Sequence, residues 1–112
     1  MGMYTQFIID VKLRGDTPGE VIECLYDMTS NRNNPLFTFQ RNPLDNYCNS
    51  NDYPKSFNGS ILKAHGEIKN HWNDIQKFID FITPYVAEGF LEGGAFGKSL
   101  YEEFDEWIYY SK

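Results

Sequence analysis

A two-layer α+β sandwich, with one antiparallel sheet of four to five strands and two helices on one of its faces, is the fold class this sequence predicts. Three observations predict it. Between Ile61 and Val86 the hydrophobic period changes once: Leu62, Ala64, Gly66 and Ile68 alternate with Lys63, His65, Glu67 and Lys69, after which Trp72, Ile75, Phe78, Ile79 and Ile82 fall on one helical stripe. A strand followed by a helix also occurs earlier, between Tyr4 and Thr29. Finally, 112 residues with 41% apolar content suffice for one core and leave no room for a second domain, so residues 1–112 are expected to fold as one unit.

The elements follow in order. From Tyr4 to Leu13 the chain alternates, with Thr5, Phe7, Ile9, Val11 and Leu13 on one side and Tyr4, Gln6, Ile8, Asp10 and Lys12 on the other, as a half-buried strand requires. Arg14-Gly15-Asp16 breaks the alternation and reads as a turn; an adhesion role for this tripeptide would need a secretory signal, and no basic region followed by an apolar run stands at the start of the sequence. Thr17 as N-cap, Pro18 at the first helical position and Glu20 as capping-box partner predict a helix to about Thr29, burying Val21, Ile22, Leu25 and Met28. Leu36 to Arg41 is expected as a short strand with Phe37 and Phe39 on one face. Asn42 to Lys55, rich in Asn, Asp, Ser, Tyr and Pro, has neither period and is expected as a long, mobile surface loop.

After the second helix, which ends near Pro84, come Gly89, Gly93, Gly94 and Gly97 with Phe90, Leu91 and Phe96 between them. A phosphate cradle would need G-x-G-x-x-G opening a helix or a complete Walker loop, and Gly97-Lys98-Ser99 lacks the upstream glycine, because position 92 is Glu. A bulged strand with close backbone approach is expected instead. Tyr101 to Asp105 then turns and Glu106 to Tyr110 returns as a hairpin, placing Trp107 and Tyr109 on one face, Ile108 and Tyr110 on the other. The resulting order, β-α-β-β-α-β-β, is most economically a ferredoxin-like split βαβ with an added C-terminal strand. Its open face would carry Tyr4, Ile8, His65 and C-terminal aromatics, a surface on which a homodimer could form.

Composition narrows the function. The formal charge is −6, and from residue 88 onward two lysines stand against six carboxylates. This balance argues against direct nucleic-acid binding, which needs clustered Lys and Arg, and suits a basic protein partner. No stretch of 18 apolar residues is present, so a soluble, cytoplasmic protein is expected. Cys24 and Cys48 match no metal or redox spacing, and Cys24 falls among helical core positions as a buried thiol. His65 and His71 have no His-x-x-x-His spacing, and nothing fixes Asp10, Glu67 and Glu92 at a hydrolytic separation. No G-x-S-x-G motif occurs, and neither catalytic residues nor cofactor or metal ligands are assigned.

The segments Tyr4-Thr5 through Asp16-Thr17-Pro18-x-Glu20-Val21-Ile22, Asn70 through Ile75-x-x-Phe78-Ile79, Pro84-Tyr85-Val86 and Gly89-Phe90-Leu91 resemble a family of small uncharacterised proteins of bacteriophages and prophages. The resemblance covers most of the chain, but its motifs are strand, cap and stripe and carry no chemistry. It implies a small phage-type accessory protein, acting in the host cytoplasm, and no activity. The Gly-rich stretch and the long polar loop depart from the family pattern.

One surface candidate stands out. In the run from Tyr101 to Tyr110, Glu102, Glu103, Asp105 and Glu106 are interleaved with aromatics, and Trp107, Tyr109 and Tyr110 are the expected anchors of a protein-binding hairpin. The bland alternative is a solvated turn whose aromatics pack inward. The functional expectation is a non-enzymatic inhibitor of a basic host or defence protein, such as a nucleic-acid-targeting nuclease, acting by nucleic-acid mimicry or site blocking. The competing expectation is a small-ligand binding or processing protein with a pocket on the sheet face or in the Gly-rich segment.

Overall fold

The computed structural model of the chain describes residues 4–46, 55–70 and 72–112, and its architecture is organised by the first strand. That strand, β1 (Thr5–Leu13), buries every second residue, as the sequence alternation requires. Helix α1 (Gly19–Thr29) follows, and then a two-residue strand, β2 (Ser56–Phe57), leads into β3 (Ile61–Ile68). β3 pairs antiparallel with β1 along nearly its whole length, from Thr5 opposite Ile68 to Lys12 opposite Ile61. Helix α2 (Asp74–Ile82) and a short 3-10 turn, Thr83–Tyr85, carry the chain to β4 (Val86–Gly89), β5 (Gly97–Tyr101) and β6 (Ile108–Tyr110).

The far side of β1 is divided between two strands: β5 takes Thr5 to Ile9, and β4 takes Val11 to Leu13. The sheet order is β2-β3-β1-β5-β6, with β4 beside β5 on β1. Every strand pairing among the described residues is antiparallel. This is the expected ferredoxin-like order, with the last position shared by β4 and β5 and with β6 added outside. The glycines explain the division. A register shift between Lys12 and Leu13 skips Ala87, and Gly93 and Gly94 adopt φ of 68° and 79°, where L side chains are disfavoured. Gly89 lies so close to the Ala95 backbone that a Cβ there would collide with it.

Both helices lie on the face that carries Phe7, Ile9, Val11, Leu62, Ala64 and Ile68. α2 buries Ile75, Phe78, Ile79 and Ile82, and the Phe78 ring meets Phe7 edge-on at 6.1 Å. α1 buries Val21, Cys24, Leu25 and Met28, so Cys24 holds the core position and Ile22, expected there, is only half-buried.

Four local expectations are corrected. Thr17 does not cap α1; its hydroxyl donates to the Arg14 carbonyl at 2.6 Å and closes the turn, while Pro18 occupies the N-cap. That turn is also braced by the Arg14 guanidinium, which grips the Asp16 carboxylate at 2.8 and 2.9 Å. Residues 36–41 do not form a strand. Asn34 turns the chain by accepting the Leu36 amide, and the amides of Gln40 and Arg41, which a sheet would use, are taken by the side chain of Asp74. Phe37 is buried there all the same, against Phe78 and Phe81. Trp72 precedes α2 and is 47% exposed, with the Arg41 guanidinium over its ring at 5.9 Å, so it is not part of the helical stripe.

The fourth correction concerns the polar segment. Its first part, residues 42–46, lies inside rather than on the surface: Leu44 is 1% exposed, and Asn42 and Asn46 are buried. The Asn42 amide caps the Met28 carbonyl near the end of α1, and Pro43 and Asp45 press their carbonyls over Gly66, where a Cβ has no room. Residues 47–54 lie outside the described residues, as does His71, and with them the expectations for Cys48 and the remainder of the loop.

Candidate functional site

The C-terminal hairpin is built from β5 and β6, paired with Gly97 opposite Tyr110, Lys98 opposite Tyr109 and Ser99 opposite Ile108. Opposed residues of an antiparallel pair face the same way. Since Ser99 and Gly97 stand opposite Phe7 and Ile9 of β1, Ile108 and Tyr110 lie on the helix side, while Tyr109 joins Lys98 and Ile8 on the open side. The two facing pairs read from the sequence are therefore those in the structure.

On the helix side Tyr110 is committed to the core edge. Its ring meets Phe7 at 6.5 Å, and its hydroxyl and that of Ser99 are 2.7 Å apart. It is half-buried and does not offer the exposed anchor expected of it. Ile108, by contrast, is 54% exposed and Phe104 is 59% exposed, with the Phe104 ring against Tyr101 at 5.4 Å. Residues missed by the reading of the sequence thus supply the apolar surface. Their signal lay in the alternation of β6, which assigns a face but not whether anything covers that face.

On the open side Lys98 is enclosed. Its ammonium sits 4.6 Å from the Trp107 ring centroid, 5.7 Å from that of Tyr109 and 3.5 Å from the Glu92 carboxylate, and only 15% of its side chain is exposed. Tyr109 donates its hydroxyl to Glu92 at 3.0 Å, a bond that raises the phenol pKa above its ordinary value. The group fixes Trp107 and Tyr109 in place and leaves their outer surfaces available, Tyr109 being 43% exposed.

The four carboxylates of the turn are all exposed. Glu102 is partly spoken for, because its carboxylate accepts the Tyr4 amide at 2.9 Å while its own amide donates to the Tyr4 carbonyl. Glu103, Asp105 and Glu106 form no ion pair among the described residues. Together with Phe104, Trp107 and Ile108 they line a hollow of about 450 Å³. All its walls come from six consecutive residues, so it is the crook of a turn rather than a cleft between elements.

The other candidates are dispersed. His65 lies on the open face with Nε2 3.0 Å from the Gln6 side-chain oxygen; burial lowers its pKa, Glu67 raises it and Lys98 lowers it. Asp10 faces Lys63 across β1 and β3, whereas Glu67 stands opposite Gln6, four residues further along, and Glu92 is engaged by Lys98 and Tyr109. These carboxylates do not converge, and among the described residues no His, Cys, Asp and Glu cluster could hold a metal ion. In the Gly-rich loop four amides are already engaged. The amides of Leu91, Gly94 and Ala95 bond within the loop, and that of Phe90 bonds to Asp10. No helix among the described residues is long and apolar enough to cross a membrane.

Comparison with protein-family models, curated proteins and solved structures gives no match.

Proposed function

We propose that the protein is a small acidic interaction module that works without catalysis, docking a basic protein on its C-terminal hairpin. The observation that carries this reading is the coincidence, within residues 102–109, of exposed carboxylates with exposed Phe104, with Ile108 exposed on the helix side and with the braced Trp107 and Tyr109 pair on the open side. A turn that only needed solubility would bury or omit the apolar side chains. A core edge would not surround them with carboxylates. Carboxylates at a rim speed the encounter with a cationic partner, and apolar or aromatic anchors hold the complex once formed. Inhibition of a basic host or defence protein by a phage-type accessory factor, through blocking or mimicry of nucleic acid, is the biological setting that fits this chemistry and the sequence resemblance. The small-ligand alternative is weakened in one of its two locations, because the amides of Leu91, Gly94 and Ala95 are engaged within the Gly-rich loop and that of Phe90 by Asp10.

The test is capture of partners from host lysate by the purified protein, followed by kinetics against the captured partner with the hairpin carboxylates replaced by Gln and Asn. Slower, salt-independent association by the variant supports the reading. Unchanged association at low salt removes it.

A further inference from the structure

The two edges of the sheet are treated differently. At one end β2 has only two residues, and β3 beyond it is closed by the polar segment: Asn46 bridges to Glu67, its side-chain amide donates to the His65 carbonyl, and the Glu67 amide donates to Asp45. That edge is blunted. At the other end β6, Ile108-Tyr109-Tyr110, has no strand beyond it among the described residues. It is short, at three residues, but those residues include no lysine or proline, and no bulge interrupts their pairing with β5.

We propose that the outer edge of β6 accepts an extended segment of a basic partner as an added strand. The inference rests on the acidic hairpin being a docking site, and it specifies how the docked backbone lies. Register dictates the segment's pattern. Side chains of an added strand alternate between the two faces, so one set falls beside Ile108 on the helix side, and the other beside Tyr109, Trp107 and Glu92 on the open side. The first environment is apolar and exposed; the second offers the outer aromatic faces and Glu92, a carboxylate already shared with Lys98 and Tyr109. The matching segment alternates apolar residues with Arg or Lys, and the turn carboxylates attract its charge.

Charge also selects against a second copy as the occupant. A three-residue strand is only about 10 Å long, so two chains paired through β6 would bring their carboxylate-bearing turns within roughly a Debye length at physiological salt.

The experiment uses the full chain, with blocked heptapeptides of alternating Arg and Val as the probe. Controls are the same residues in block order, and the alternating peptide N-methylated on each of its two alternate sets of amides in turn. The proposal expects the alternating peptide to bind, with amide shifts and slowed exchange at residues 108–110. One N-methylated set should lose binding by about tenfold or more while the other keeps it, because an added strand presents only one edge to β6. Ile108→Lys, at an exposed position that spares the core, should weaken the unmodified peptide by a similar factor of about ten. Equal binding by all the peptides, with shifts confined to residues 102–106, overturns strand addition and leaves the acidic docking reading intact. No binding by any peptide also overturns it, and the carboxylate variant tested on the captured partner then decides the docking reading separately. A dimer of the protein alone, with residues 108–110 already protected, overturns it in favour of a second copy.

Discussion

Asp74, at the first position of α2, holds the amide of Arg41 at 2.8 Å from a side chain that is fully buried, although the two residues are 33 positions apart in sequence. The other oxygen accepts the Gln40 amide at 3.3 Å. This one carboxyl group therefore fixes the path of residues 36–41 and faces the positive end of a helix dipole. Asp74→Ala leaves two amides without their acceptor and is expected to cost about 2–3 kcal/mol. Asp74→Asn, which keeps one acceptor oxygen, should cost less. Urea denaturation of the two variants measures the difference, and equal losses would mean that the second oxygen is what matters.

Phe78 lies at the centre of the core, touching Phe7, Phe37 and Phe81. Phe78→Ala is expected to lose roughly 3–5 kcal/mol, a large share of a small domain's stability. A denaturation midpoint equal to that of the parent would show that the neighbouring rings do not depend on it.

What could be read from the sequence was whatever a local period decides. β1, β3 and both helices bury one face, and the apolar spacing of Phe7, Ile9 and Val11 or of Ile75, Phe78 and Ile82 announces this directly. Residues 36–46 were misread because their order comes from distant partners: Asp74 for the amides of Gln40 and Arg41, the Met28 carbonyl for Asn42, Gly66 for the carbonyls of Pro43 and Asp45. Polar residues that look solvated in isolation are buried here because each finds its partner. The hairpin shows the same division. Its turn and its facing pairs were legible, yet only the three-dimensional arrangement commits Tyr110 to Ser99 and Phe7 and leaves Ile108 and Phe104 uncovered.

His65 should titrate below its ordinary 6.5, chiefly because of burial. In a His71→Asn background, which leaves His65 as the sole histidine, proton NMR should place its midpoint below that value. Glu67→Gln should lower it further and Lys98→Met should raise it, in keeping with the signs of their charges. The contribution to stability is present above pH 6.5 and is lost as pH falls through the lowered midpoint, since the unfolded chain takes up the proton first. A midpoint above 6.5 would contradict the burial of this ring.

Burial pushes the Cys24 thiol up from 9.0 to about 11. In a Cys48→Ser variant, a disulfide reagent at pH 8 should react with Cys24 only as fast as the protein opens, and at the ordinary thiol rate in denaturant. The raised value stabilises the fold fully below pH 9, an advantage that declines from pH 9 towards 11 as the unfolded thiol ionises first. Rapid labelling of the native protein would place Cys24 outside the core.

The adjacent tyrosines of β6 should behave in opposite ways. Tyr109→Ala is expected to leave stability within about 0.5 kcal/mol of the parent and to speed dissociation from a basic partner. Tyr110→Ala, which loses the Phe7 contact and the Ser99 hydrogen bond, should instead lower the denaturation midpoint. Replacing Glu103, Asp105 and Glu106 by their amides should slow association by roughly tenfold at low salt and leave the midpoint unchanged. Surface-plasmon kinetics and urea melts on the same variants separate these effects, and matching behaviour of the two tyrosines would undo the facial assignment.

The division of β1 among β3, β4 and β5 has a consequence for the birth of the molecule. β1 precedes every strand it pairs with, and its nearest partner in sequence, β3, begins at Ile61. At roughly 5–20 residues per second of synthesis, Phe7, Ile9, Val11 and Leu13 leave the ribosome seconds before any strand can cover them. During that interval the central strand of the sheet, with Phe7, Ile9, Val11 and Leu13 uncovered, is an unpaired ribbon. The growing chain is thus a natural client for chaperones that hold extended hydrophobic segments, and its yield in the cell should follow chaperone supply and translation speed more closely than the stability of the finished fold.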